Sequence, residues 1–148
     1  MSTLEPFLLL IAALILGSAL GLERSFAGKS AGVRTFGLVS MGSCLFILIS
    51  KFVIPAVSAY GFDPLRMAAG IVVGVGFIGG GVIIIKDSTL TGITTAAGLW
   101  VSAGIGMAVG YGLLSLALFT TIATLVVFTI FWFLEHKLVV EGEHEREG

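Results

Sequence analysis

The sequence predicts an all-α integral membrane protein with about five transmembrane helices, and three observations carry that reading. First, 57% of its 148 residues are hydrophobic and only 11% are charged, against about 45–50% apolar and 25% charged residues in a soluble domain. Second, apolar runs recur near the length of roughly 20 residues that crosses a hydrocarbon core about 30 Å thick. Third, the charges gather between those runs and at the chain's end, where a membrane protein keeps them near water. The polar segments between the runs are too short to fold alone. The expectation is one membrane domain over 1–134.

Helix one is expected over about 4–22, with Pro6 tolerated in its first turn. No basic stretch precedes its apolar run, so it reads as a retained helix and not a cleaved signal. Gly17 and Gly21 form a small-xxx-small step near its end, a weak signal alone. The loop from Glu23 to Arg34 is the most polar internal segment, with Gly28 and Gly32 allowing tight turns. Helix two follows over 35–54 and stops near Lys51 and Pro55. At Asp63-Pro64 the Asp carboxylate can accept from free backbone N–H groups and the Pro suits a first turn. Helix three is therefore expected over 64–85. A break rich in Ser, Thr and Gly runs from Lys86 to Ile93. Helix four covers 94–109, Gly110-Tyr111-Gly112 turns the chain, and helix five covers 113–134. Helix five lacks Gly after Gly112 and is expected to face lipid more than helices three and four do. Residues 135–148 form a short acidic tail.

Five spans put the two ends on opposite sides of the bilayer. With the N-terminus outside, the inner segments hold Arg24, Lys29, Arg34, Lys86, Lys137 and Arg146, and the outer ones hold only Lys51 and Arg66. That distribution follows the positive-inside bias and makes the C-terminus cytoplasmic. The net charge of −1 lacks the basic face that nucleic acid requires. Cys44 is the only cysteine, which excludes an intrachain disulfide and a thiolate metal cluster. Its place within helix two reads as a small buried apolar residue.

The stretch from Asp63 to Trp100 organises the chain. Within it, Gly74-Val75-Gly76-Phe77-Ile78-Gly79 matches the dinucleotide fingerprint letter for letter, but that motif needs a strand before it and a helix opening after it. A continuous apolar span leaves no room for such a unit, so nucleotide binding is rejected. Close packing explains the glycines better: Gly70, Gly74, Gly76, Gly80 and Gly81 bare the backbone to a neighbouring helix. An unwound helix whose carbonyls line a pathway is the other reading. On helix four, Thr94, Gly98, Ser102, Gly106 and Gly110 recur at steps of four along one slowly drifting stripe. Five in a row is more specific than a lone GxxxG and predicts a tight seam, within the chain or across a homodimer. Helices three and four are accordingly expected to form the packed core.

The candidate functional charges are Glu23, Arg24, Arg34, Asp63, Arg66 and Asp87. A central Arg, Lys or Asp costs about 2.5–3.5 kcal/mol on insertion scales, so each needs a reason. Asp63 has one as an N-cap. Arg66 in a first turn opposes the helix dipole and needs an acid, of which Asp63 at i−3 is nearest in sequence. Glu23, Arg24 and Arg34 read either as an interfacial salt-bridge cluster or as part of an ion pathway. A hard cation such as Mg2+ takes oxygen ligands, and Glu23, Asp63 and Asp87 are the carboxylates near the core. Three scattered acids could hold a hydrated ion or serve structurally. Glu141, Glu143, His144, Glu145 and Glu147 read as a solvated tail in preference to a metal site. Trp100 and Trp132 are expected at packing or interfacial positions. The sequence holds no nucleophile–base pair, phosphate loop or zinc spacing, so no enzyme is expected.

Several segments, taken in order, resemble the MgtC/SapB family of bacterial inner-membrane proteins. They are Gly21-Leu22-Glu23-Arg24, Gly28-Lys29-Ser30-Ala31-Gly32-Val33-Arg34-Thr35 and Asp63-Pro64-Leu65-Arg66. The run continues through Gly74-Val75-Gly76-Phe77-Ile78-Gly79-Gly80-Gly81 and Gly92-Ile93-Thr94-Thr95-Ala96-Ala97-Gly98-Leu99-Trp100. The resemblance covers helices one to four and implies a five-span inner-membrane domain. For MgtC itself it implies adaptation to low magnesium, survival inside host cells and inhibition of the F-type ATP synthase. Two departures stand out: Gly80 where Ala is more usual, and 14 residues of tail where MgtC has a soluble C-terminal domain. The resemblance is thus to the short, SapB-like form. It implies magnesium or related divalent-cation homeostasis, as a cation transporter or channel-like dimer. The alternative it implies is a regulatory protein that binds another membrane complex such as the ATP synthase. In the transport reading, Asp63 and Arg66 gate the outer mouth, and Glu23, Arg34 and Asp87 shape the inner one.

Overall fold

The computed structural model describes residues 3–57, 63, 65–86, 88–131 and 133, without the side chains of 54–57 and 86. Pro64, Asp87, Trp132 and the acidic tail, all singled out above, lie outside the described residues. Among the described residues, five helices are long and apolar enough to cross a membrane. They are α1 (Glu5–Phe26), α2 (Val33–Val57), α3 (Leu65–Val82), α4 (Ile93–Tyr111) and α5 (Leu114–Val126), the last continued by a π-helical turn over Val127–Phe131. The number and order of spans are those expected from the apolar runs.

Several boundaries differ, three of them for a local reason; α2 also runs past the expected 54 to Val57, and α4 runs through Gly110 and Tyr111, so Gly112 alone turns the chain there. Helix α1 continues through Phe26, so Glu23 and Arg24 stand in its last turn and not in a loop. A cation there meets the negative end of the helix dipole, which favours the longer helix. The turn comes only at Gly28, with φ of +67°. Helix α2 begins at Val33, directly after Gly32. Helix α3 ends at Val82, and the expected break contains two short strands, β1 (Ile84–Lys86) and β2 (Thr89–Thr91), paired antiparallel. The β-branched Ile83, Ile84, Ile85, Thr89 and Thr91 favour extended backbone over helix. Gly92, at φ +92°, then starts α4, and Gly112, at φ +85°, ends it. At that end the N–H of Leu113 donates to Ala108 O and that of Gly112 to Val109 O, both at 2.8 Å, the paired bonds of a Schellman motif.

The core is α1, α2 and α4. Gly21 of α1 lies on the Gly32 backbone and Gly17 lies on Phe36 and Ser40 of α2, so the two helices run antiparallel. Gly106 of α4 lies on the Ser40 backbone and Gly110 on Cys44 and Ile47, so α4 runs parallel to α2. A Cβ at Gly17 would come within 2.7 Å of Phe36 O, and one at Gly106 would overlap the Ser40 carbonyl. These small residues let backbone meet backbone, as membrane helices require where apolar burial gives no preference over lipid. Ser102 Oγ donates to Phe36 O at 2.9 Å across the α2–α4 seam. Near the other end of the seam, Lys51 Nζ donates to Gly110 O at 3.2 Å. Cys44 is fully buried, as expected of a small apolar residue.

Helix α3 corrects an expectation. Only Ile71, Val75 and Gly79 of it are buried, whereas Gly70, Gly74, Gly76, Gly80 and Gly81 would each project a Cβ into open space. The packed core therefore includes α4 but not α3, which lies along its edge with Gly79 near Ala96. Glycine thins a helix on every side and marks no face. The bulkier Ile71 and Val75 are what α3 sets against the bundle. Helix α5, with Ala117 and Thr121 buried, is far more exposed than α4 but no more so than α3. Trp100 faces outward, 54% exposed.

Candidate functional site

The only ion pair among the described residues joins Glu23 and Arg24 at the end of α1. The Glu23 carboxylate accepts from Arg24 Nε and, at 2.6 Å, from Nη2. Arg24 is only 3% exposed, so its charge needs this fork-to-fork pairing to offset lost hydration. Its guanidinium carbon also lies 3.8 Å from the centre of the Phe128 ring, a cation–π contact worth about 2 kcal/mol when desolvated. Phe128, on the π-helical turn, reaches that place over Gly98 of α4, where a Cβ would come within 2.6 Å of its Cζ. Gly98 thus makes room for Phe128, which forms the platform for Arg24. Beside them, Ser25 Oγ donates to Gly21 O at 3.0 Å and accepts from Val33 N at 3.3 Å. That pair of bonds ties the start of α2 to the end of α1.

Two cavities flank the pair. One of about 370 Å³ is lined by Arg24, Lys29, Thr94 and Thr95 with Phe128 and Phe131. The other, about 960 Å³, is lined by Glu23 with Phe26, Leu125 and Thr129. Arg34 is exposed and forms no ion pair among the described residues.

Asp63 and Arg66 sit at the opposite end of the bundle. Asp63 Oδ1 accepts from Leu65 N at 2.9 Å and its carbonyl from Arg66 N at 3.2 Å, which is the capping geometry. The expected Asp63–Arg66 ion pair is absent among the described residues. The carboxylate is engaged by the helix start, and the exposed Arg66 can be solvated. The 25 residues of α2, at about 1.5 Å each, set the two ends roughly 37 Å apart. Glu23 and Asp63 therefore cannot ligate one ion together. Among the described residues no three His, Cys, Asp or Glu side chains come together as a metal set. Of the expected seam, Gly98, Ser102, Gly106 and Gly110 are brought together against α2, and Gly70, Gly74, Gly76 and Gly80 are not.

Phe128 and Lys51 were missed from sequence, because their partners lie 104 and 59 residues away. The one available signal was an Arg beside an apolar span, which needs both an acid and a surface to lie on.

Comparison with known proteins agrees over the whole bundle. The MgtC family model matches residues 10–137. The protein of Escherichia coli (strain K12) named "Putative magnesium transporter YhiD" is 42% identical over 145 residues, 96% of this chain and 67% of its own length. Protein MgtC of Salmonella typhimurium (strain LT2) is 44% identical over 121 residues, 81% of this chain and 50% of MgtC. Protein slr0014 of Synechocystis is 41% identical over 122 residues, 82% of this chain and 50% of its own. The chain thus spans about half the length of the last two relatives. No solved structure matches. The family match begins in the second turn of α1 and runs past the π-helical turn, taking in Glu23, Arg24, Arg34, Asp63, Arg66 and the glycines of α1 to α4, and this multi-pass membrane protein belongs to the MgtC family.

Proposed function

We propose that this chain serves magnesium or related divalent-cation homeostasis in a bacterial plasma membrane, as a cation-conducting dimer. The supporting observation is the match to YhiD, named for magnesium transport, over 96% of this chain. In this reading Asp63 and Arg66 meet the hydrated ion at the outer end, and Glu23, Arg34 and Asp87 meet it at the inner end. The positive-inside distribution sets that orientation, with the C-terminus cytoplasmic. Two copies join along α3, because the α4 stripe is already used within the chain. An apolar groove of about 490 Å³ between α2 and α3, lined in part by Gly42, Gly70 and Gly74, adjoins that face.

A second reading is a regulator without a pathway, whose α3 face docks on another membrane complex such as the F-type ATP synthase. What favours it is the filled α1–α2–α4 core between the two charged ends. Magnesium flux into proteoliposomes, followed with an internal dye, separates the two. Flux above empty liposomes that falls in Glu23→Gln and Asp63→Asn is the outcome expected for transport. No flux of several divalent cations from folded protein, with a stoichiometric membrane partner on purification, establishes the regulator instead.

A further inference from the structure

The cavity of about 370 Å³ is built by four separate segments: the end of α1 with the loop after it, β2, the start of α4 and the π-helical turn. Positive charge comes from one side. Glu23 occupies Nε and Nη2 of the buried Arg24, while Nη1 has no hydrogen-bond partner among the described residues. Lys29 also lines the cavity and forms no ion pair among the described residues. The opposite wall is the first turn of α4. Gly92 has no side chain to cap it, so the N–H groups of Ile93, Thr94 and Thr95 keep their donors without a side-chain acceptor, at the positive end of the dipole.

Thr95 supplies independent evidence for a ligand. It is 2% exposed and lines the cavity, yet its hydroxyl has no hydrogen-bond partner among the described residues. The threonines of α5 and its π-helical turn behave otherwise. Thr120, Thr121, Thr124 and Thr129 each donate to the carbonyl four residues back, at 2.7–2.9 Å. Thr95 is the third residue of its helix, so the corresponding carbonyl belongs to Thr91 in β2 and lies outside the helix. A buried hydroxyl left open beside two cations and three backbone donors lacks an acceptor of hydrogen bonds.

We propose that this cavity binds a phosphate-type oxyanion, held by Lys29, Arg24, Thr95 and the first turn of α4. Leu90, Val127 and Phe131 wall the remaining space, which suits the organic part of a phosphate ester. The anion can come from a phospholipid headgroup or from free phosphate in the adjoining solution. The assignment does not depend on whether the protein conducts ions.

The test uses the full chain in phosphatidylcholine nanodiscs. Inorganic phosphate is titrated with thermal unfolding as the readout and chloride as the control anion. In parallel, discs containing added phosphatidylglycerol are read by native mass spectrometry for retained lipid. Stabilisation by phosphate in phosphatidylcholine alone identifies the free-phosphate source, and selective retention of phosphatidylglycerol identifies the headgroup. Loss of a charge-assisted or hydroxyl donor is expected to weaken either signal by about tenfold, so a drop in Lys29→Gln or in Thr95→Val supports the site. Neither anion binding to wild type, or both variants binding as wild type does, overturns it.

Discussion

Set side by side, α4 buries Gly98, Ser102, Gly106 and Gly110 against its neighbours, whereas α3 leaves Gly70, Gly74, Gly76 and Gly80 in open space. Both helices carry several glycines, and glycine content alone does not tell which of them packs. The difference lies in what flanks the glycines. On α4 the small residues recur at steps of four over about three turns, drifting only about 40° per step, so a single stripe of backbone is offered to α2. On α3 they occur on several faces, and Ile71 and Val75 claim the contact with the bundle. Small residues therefore define an interface here where their spacing keeps them on one slowly drifting stripe.

The sharpest way to break this comparison is to place the same side chain on each helix. Gly106→Leu drives four carbon atoms into the Ser40 carbonyl, a rigid neighbour, and is expected to cost more than about 3 kcal/mol. Gly74→Leu has open space before it and should leave the isolated chain as stable or up to about 1 kcal/mol more stable, through helix propensity. Unfolding in detergent measures both, and equal effects would show that the two helices are equivalent after all. Next in size comes Arg24, whose platform depends on Gly98 of α4 through Phe128. Arg24→Ala strands the Glu23 carboxylate and is expected to cost about 3 kcal/mol. Adding Glu23→Gln to it should restore part of the loss, and a double-mutant cycle reads the coupling directly. The smallest effect is expected of Ser102→Ala, which removes one hydroxyl bond to Phe36 O at about 1 kcal/mol. Phe36 O keeps its own helical donor, so no acceptor is left bare.

The five spans were legible because apolar run length is a one-dimensional property, and so was the α4 seam, because its phase is written at fixed spacing. The Asp63 cap was legible for the same reason, as its partner is two residues away. The hairpin at Ile84–Thr91 was harder to read, because β-branched residues next to an apolar helix can extend it or end it. Which glycines pack was not readable for α3, since a missing side chain carries no direction. The companions of Arg24 divide the same way: Glu23 is its neighbour in the chain, whereas Phe128 becomes its neighbour only after three helices have folded between them.

Ala117, Thr121 and Phe128 are buried along one stripe of the last span, four and seven residues apart. The aromatic platform beneath Arg24 is therefore held by helical phase as well as by the identity of residue 128. Inserting or deleting one residue between Ala117 and Phe128 would turn that ring by about 100°, away from both Gly98 and Arg24, with every named side chain still present. In a related gene the gain or loss of one codon in this segment would thus dismantle the cavity wall without substituting any of its residues. Deciding whether a relative keeps the cavity requires counting along the last span as well as matching letters.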